Sequence, residues 1–195
     1  MDDKSGNNSR LPARERIIDA AYDLFSRRGV RDVSVDEIIA ASDVAIATFY
    51  RHFRSKNDLI TAFLNRREEL WSSEAVVSAA RQRADQPVSR LLAVFDVFDE
   101  WFQRPDFEGD SFVNVLIEMG PEHPLGQASI EHLANIRHSI EDLAREAGLR
   151  EPAEFALSFQ LLMKGSIITA TMGDGAAARR ARAMAERLIH EYSYA

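Results

Sequence analysis

Residues 33–64 read VSVDEIIAASDVAIATFYRHFRSKNDLITAFL, and this stretch decides the fold. Ser34 precedes an apolar-periodic run and is followed three residues later by Glu37. This spacing is typical of a capping box, in which the serine hydroxyl accepts from the Glu37 N–H and the carboxylate accepts from the Ser34 N–H. The sequence therefore predicts a short, well-capped helix that ends near Ser42.

A second short helix is predicted from about Ala45 to Phe53, after a turn at Asp43. Helical spacing places Ile46, Phe49 and Phe53 on its apolar side. Two short helices joined by such a turn, with a further helix on each side, form a helix-turn-helix.

The outer face of the second helix offers hydrogen-bond donors and no carboxylate. The segment 44–54 contains no Asp or Glu, and Lys56 follows it directly. A surface that faces a phosphate backbone has to avoid carboxylates and supply donors, whereas a solvated surface usually mixes both signs. The stretch is therefore predicted to bind DNA.

The run T-F-Y-x-x-F-x-x-K-x-x-L at residues 48–59 resembles the DNA-binding signature of tetracycline-repressor (TetR) family regulators. The resemblance extends over about residues 13–66. Two positions depart from it, since Asp43 replaces the turn glycine and Ala45 replaces the serine that caps the recognition helix. Aspartate tolerates the left-handed conformation better than most residues, and the loss of a serine cap costs about 1 kcal/mol.

The resemblance implies an all-α protein that binds a palindromic operator in double-stranded DNA as a homodimer and represses transcription in response to a small molecule. The implied domains are an arm at residues 1–12, a three-helix DNA-binding head at 13–55 and a helical ligand-binding and dimerisation body at 56–195. In the arm and just after it, Arg10, Arg14 and Arg16 are either solvated surface charges or minor-groove contacts.

Each predicted DNA contact has an assigned role. Ala47 and Thr48 are candidates for base edges, because an alanine and a threonine methyl can pack on thymine methyl groups. Tyr50, His52 and Lys56 are candidates for the phosphate backbone. The full predicted set is Ser34, Ala45, Ala47, Thr48, Tyr50, Arg51, His52 and Lys56.

The body is predicted to consist of amphipathic helices, the first of them running from Lys56 to about Ala84. Its aromatic side chains and methionines are core residues by default, yet helical bundles often keep ligand cavities in such cores. The candidate effector-binding residues are Phe95, Phe98, Phe102, Phe112, Asn114, Glu118, Phe159 and Met163.

Residues 152–192 are predicted to form the dimer interface. The penultimate helix is apolar nearly all round, and such a helix is expected to be covered on every side. Gly165, Ser166 and Ala170 would let another helix approach closely. The last helix adds a stripe at Ala181, Ala185, Leu188 and Ile189.

Composition and charge limit the classes of function. The net charge is −7, but residues 1–70 hold 12 basic and 12 acidic residues, so the acidity lies outside the predicted head. No cysteine, signal peptide or membrane-spanning stretch is present, which favours a cytoplasmic protein. No pattern indicates a catalytic residue, a metal site or a cofactor, so an enzyme is not expected.

Two alternatives remain open at this stage. The chain can bind DNA without an effector, in which case the body serves only dimerisation or a protein partner. It can also be a helical adaptor whose head does not bind DNA, which salt-dependent binding to duplex DNA would exclude.

Overall fold

Every regular element in the described part of the chain is an α-helix, so the expected all-α fold is confirmed. The computed structural model describes residues 11–70 and 73–193, and most of the predicted arm at 1–12 lies outside them. The helices, in chain order, are α1 (Ala13–Arg28), α2 (Val35–Ser42), α3 (Ile46–His52), α4 (Lys56–Leu70), α5 (Ser73–Arg83), α6 (Pro87–Phe102), α7 (Ser111–Met119), α8 (Pro124–Glu146), α9 (Pro152–Thr171) and α10 (Ala177–Tyr192).

The helices form two compact units. The head unit comprises the residues up to Arg67 together with Ser111–Ser129, and the body unit comprises Glu68–Asp110 and the chain from Ile130 onward. This division differs from the predicted boundary at residue 55. Residues 56–67 of α4 and all of α7 belong to the head unit, because their apolar side chains pack into its core.

The head core joins α1, α2, α3 and α4 to α7 and the first turn of α8. Phe63 of α4 meets Tyr22 and Phe25 of α1 edge to face, each pair with ring centroids 5.5 Å apart. Such aromatic pairs add stability beyond the area they bury. The buried apolar residues of this core are Ile17, Ile18, Ala20, Ala21, Phe25, Val30, Val33, Ile38, Phe49, Phe53, Leu59, Ile60, Phe63, Leu64, Phe112, Val115 and Leu125.

The body core is built mainly by α6, α9 and α10, with α5 and the second half of α8 packed around them. Phe95 of α6 packs against Phe159 of α9 with ring centroids 5.0 Å apart. Proline opens both helices, at Pro87 and Pro152, because a first-turn position needs no N–H donor. None of the helices in the described ranges has an apolar stretch long enough to cross a bilayer.

One expectation about the body helices stays untested, and another changes. Whether a single helix runs from Lys56 to about Ala84 depends on residues 71–72, which lie outside the described residues between α4 and α5. On α10, the predicted interface stripe is not available to a partner, because Ala181, Ala185 and Ile189 are buried in the core of their own body unit.

Candidate nucleic-acid interface

The N-terminus of α2 carries the predicted capping box. Ser34 Oγ accepts from the Glu37 N–H at 3.2 Å, and the Ser34 N–H donates to Glu37 Oε2 at 2.8 Å. The backbone bond from Ser34, followed by the Arg28 guanidinium, lowers the pKa of Glu37 from 4.5 to about 2. Because the Ser34 hydroxyl also donates to Glu37 Oε2 at 2.9 Å, its only proton is already engaged. As a DNA contact, Ser34 would have to give up that bond.

The turn between α2 and α3 contains Asp43 in the left-handed conformation, at φ 50° and ψ 52°. Arg16 of α1 donates through Nη1 to the carbonyl oxygens of Ser42 at 3.1 Å and Asp43 at 2.9 Å. A cation is favoured at these carbonyls, because they lie at the C-terminal end of α2. Arg16 is therefore a brace for the turn. Local sequence patterns give no sign of this contact, since Arg16 and Ser42 are 26 residues apart.

Helix α3 is anchored by one buried residue within it and one directly after it, and it begins without a side-chain cap. Phe49 is fully buried in the head core, whereas Ala45 at the N-cap makes no capping hydrogen bond. Ile46 was expected on the apolar side, but its side chain is 61% exposed. The helix has only two turns, so Phe49 and the following Phe53 suffice to anchor it and Ile46 is left on the outer surface.

Seven of the eight predicted DNA contacts lie on or beside α3. Ala45, Ala47, Arg51 and His52 are exposed, Tyr50 is 53% exposed, and Thr48 is half-buried. No carboxylate pairs with Arg51, His52 or Arg54 within the described residues. The Arg51 and Arg54 guanidinium groups therefore remain available for an external anion, as binding to phosphates requires, and His52 offers a ring N–H beside them.

Lys56 opens α4 next to α3 and is half-buried. Ser55 Oγ accepts from the Asp58 N–H at 3.1 Å, and Asp58 Oδ2 accepts from the Arg54 N–H at 3.0 Å, which fixes the start of the helix. Lys56 Nζ donates to the Arg31 carbonyl oxygen at 3.4 Å. Burial lowers the pKa of Lys56, and the Glu118 carboxylate opposes this shift.

Five of the predicted effector-binding residues lie together in the body unit. Phe95, Phe98, Phe159 and Met163 are buried in its core, and Phe102 is packed against it. Phe98 lies 6.2 Å from Phe95 and 5.7 Å from Phe102 between ring centroids. These side chains form one aromatic cluster in which they pack on one another.

The other three predicted effector-binding residues, Phe112, Asn114 and Glu118, are on α7 in the head unit. Phe112 is buried in the head core, Asn114 is exposed, and Glu118 Oε2 accepts from the Arg31 N–H at 2.7 Å. The predicted effector-binding residues are therefore divided between the two units. Periodicity alone could not separate the two cores, because α7 has an apolar side that suits either.

No group of three or more His, Asp and Glu side chains in the described ranges is arranged to hold a metal ion. The features that the sequence patterns missed are the Arg16 brace and the contact between Glu118 and Arg31. Both join residues that are distant along the chain, so neither leaves a motif of fixed spacing.

Residues 17–63 match the family model for "Bacterial regulatory proteins, tetR family". The uncharacterized HTH-type transcriptional regulator MT1294 of Mycobacterium tuberculosis is 36% identical over 80 residues, covering 41% of this chain and 39% of that protein. The chain thus spans about two fifths of that relative's length. The HTH-type transcriptional repressor KstR of Mycolicibacterium smegmatis is 24% identical over 149 residues, covering 76% of this chain and 70% of that protein.

Two solved structures match over nearly their whole length. SCO4454, a TetR-family transcriptional regulator from Streptomyces coelicolor, superposes with a TM-score of 0.85 at 26% identity, covering 93% of this chain and 96% of that one. The putative TetR-type regulator sav143 from Streptomyces avermitilis gives 0.79 at 26% identity, covering 93% and 98%. The helix-turn-helix match and these whole-chain likenesses agree: residues 17–63 belong to the TetR family of bacterial regulatory proteins, and the whole chain has the fold of TetR-family regulators.

Proposed function

We propose that this protein is a transcriptional repressor that binds a palindromic DNA operator as a homodimer and releases it in response to a small molecule. The observation that carries the proposal is the outer surface of α3. That surface exposes Tyr50, Arg51 and His52, has no acidic residue, and is held in place by buried Phe49. A short helix with these properties suits the major groove of DNA.

Base recognition in this proposal falls to Ala47 and Thr48. No Asn, Gln or Arg stands at the start of α3, so hydrogen-bonded reading of bases is limited and DNA shape supplies part of the specificity. The exposed Ile46 joins them as a third apolar group that can pack on thymine methyl groups.

The dimer in this proposal is built on an apolar stripe of α9. Leu157, Leu161 and Ile168 are spaced so that they share one side of the helix, and they are exposed by 43%, 75% and 55%. The C-cap residue Met172 continues the stripe and is 82% exposed. Exposed Gly165 lies between them, and Met184 of α10 is also exposed. Exposed apolar side chains in such a row are typical of a surface that another subunit covers. A two-fold contact would bring the stripe of each subunit against the other.

The effector in this proposal is an apolar or aromatic small molecule that binds the body unit. The supporting observation is the aromatic cluster around Phe95 and Phe159, which is the kind of surface that lines ligand sites in helical bundles. Because these side chains pack on one another, the molecule would have to separate them. A ligand acts on DNA binding only through its different affinity for the two states of the protein.

The test begins with the selection of duplexes by the purified protein from a random-sequence library at low salt. We expect a palindromic sequence to be enriched, and log Kd for it to rise linearly with log salt concentration. A duplex of the same composition in scrambled order is the control. If no duplex is enriched and no salt-dependent binding to DNA is found, the chain is a helical adaptor instead.

A further inference from the structure

Glu118 on α7 contacts the loop between α1 and α2 in the head unit. Its Oε2 accepts from the Arg31 N–H at 2.7 Å, across 87 residues of sequence. The same carboxylate lies over Gly29, where an added Cβ would stand 2.5 Å from Oε1. Gly29 also has φ 82°, which a residue with a side chain rarely adopts. The Glu118 carboxylate therefore occupies the space that a side chain at position 29 would need.

Lys56 also binds Arg31 in this loop. Its ammonium donates to the Arg31 carbonyl oxygen at 3.4 Å, and the Glu118 carboxylate attracts that ammonium electrostatically. The N–H and the C=O of Arg31 are thus bound by α7 and by the start of α4, respectively. Since α4 follows α3 directly and the loop leads to the N-cap of α2, this contact borders both helices of the motif.

The segment that carries Glu118 is itself tightly built. Gly126 of α8 approaches the Gly120 carbonyl oxygen so closely that an added Cβ would stand 1.9 Å from it, which ties the start of α8 to the end of α7. Phe112 and Val115 anchor the other side of α7 in the head core. The position of the Glu118 carboxylate is therefore determined by packing.

We propose that Glu118 is a positioning residue for DNA binding, which docks α7 on the loop between α1 and α2 and so holds Lys56 and the start of α2 in the arrangement that fits an operator. The proposal rests on the DNA-binding function proposed above. It gives Glu118 a role at the head in place of the effector contact that the sequence suggested.

The direction of the change in DNA affinity distinguishes a positioning role of Glu118 from a purely electrostatic effect of its charge. Removing a carboxylate near the DNA-binding surface reduces repulsion of phosphates, so electrostatics alone predicts tighter binding when Glu118 is neutralised. A positioning role predicts weaker binding to the selected operator. Glu122 is an exposed acidic residue on the same segment, so Glu122→Gln and Glu122→Ala are matched controls for the charge change.

The experiment measures Kd for the duplex selected by the wild-type protein and for its scrambled control. We expect Glu118→Ala to weaken binding to the selected duplex by roughly tenfold or more, because the Arg31 N–H loses its partner and the loop that leads to the start of α2 is no longer docked on α7. The loss on the scrambled duplex should be smaller. Glu118→Gln, which keeps an acceptor oxygen, should recover part of the loss, and both Glu122 variants should bind as the wild type or slightly tighter.

Amide NMR supplies a readout that needs no DNA. The Arg31 amide signal should shift in Glu118→Ala and stay in place in Glu122→Ala.

Glu118 variants that bind the selected duplex as tightly as the wild type, or that lose affinity equally on both duplexes, would overturn the inference. If the wild type binds no duplex while the Arg31 signal still depends on Glu118, the proposed function fails and the docking contact stands. Circular dichroism on each variant shows whether it keeps the helix content of the wild type. If Glu118→Ala does not, the comparison of Glu118→Gln with Glu122→Gln still tests the inference.

Discussion

At the scale of single residues, Lys56 is the cation whose position is best defined on the proposed DNA surface. Its bond to the Arg31 carbonyl oxygen holds the ammonium beside α3, and partial burial limits its freedom. A single ammonium on a phosphate contributes to affinity for any sequence, because phosphates carry no sequence information.

Lys56→Ala should therefore weaken binding to the selected and scrambled duplexes by a similar factor and reduce the salt slope by about one. Titrations at several salt concentrations measure both quantities. Arg179→Ala removes one cation from the body unit and serves as the control. A change in base preference in Lys56→Ala would show that this residue reads bases.

The lowered pKa of Glu37 predicts that the free energy of unfolding depends on pH. Its folded pKa of about 2 lies below its ordinary value of 4.5, because the Ser34 N–H and then the Arg28 guanidinium favour the ionised form. A depressed pKa contributes stability that is fully present above the unfolded pKa and is lost as the pH falls towards the folded pKa.

The wild type should consequently be more stable than Glu37→Gln near neutral pH, and the difference should begin to shrink below about pH 4.5 and keep shrinking towards pH 2. Urea denaturation of both proteins across this range measures it. Asp36→Asn removes a neighbouring exposed carboxylate as the control. A difference that stays constant with pH would contradict the assignment.

At the scale of elements, α3 begins without a side-chain cap, although the backbone at its N-cap has the conformation that a capping residue adopts. Ala45 has φ −70° and ψ 148°, the extended conformation usual at an N-cap, and no side chain there accepts an N–H. The Arg16 brace and buried Phe49 hold the motif from its two sides without that bond.

Ala45→Ser should stabilise the head by about 1 kcal/mol, because the hydroxyl can accept from an N–H in the first turn of α3. The free energy of unfolding from urea denaturation checks the expected gain. Ala40→Ser adds the same hydroxyl to an exposed position of α2 and should give no gain. An equal change in the two variants would mean that α3 does not use the new cap.

At the scale of the whole molecule, the stripe of α9 is a row of exposed apolar side chains on the body unit. An obligate interface of this kind usually buries upwards of ~2,000 Å² in total. A charge placed at its centre would be buried without a partner, which is strongly destabilising for the assembly.

Ile168→Glu should convert the dimer to a monomer in sedimentation and abolish binding to the full palindrome, since both heads are needed together. Ile117→Glu makes the same change at an isoleucine of α7 that is 76% exposed, and it should leave the dimer intact. A wild-type protein that sediments as a monomer at micromolar concentration would rule out the proposed interface. A monomeric Ile168→Glu protein with native affinity for the palindrome would leave the dimer without a role in DNA binding.

The sequence by itself determined the features that depend on neighbours along the chain. The capping box at Ser34 and Glu37 uses contacts within three residues, so its spacing predicts it. The turn was predicted at Asp43 as well, although its left-handed backbone is seen only in the structure. The buried Phe49 follows from helical periodicity within a single motif. The helix-turn-helix, the all-α class and the family were therefore predictable.

Only the tertiary structure decided which core each apolar helix joins and which of its sides remains exposed. Phe112 packs in the head core, Glu118 docks on the loop at Arg31, and Arg16 braces the turn at Asp43. The Arg16 bond to the Asp43 carbonyl spans 27 positions of the chain, and the Glu118 bond to Arg31 spans 87. An apolar stripe predicts that one side of a helix is buried, but it does not predict which element covers that side. Hydrophobic burial is non-directional, and the packing of side chains selects the partner.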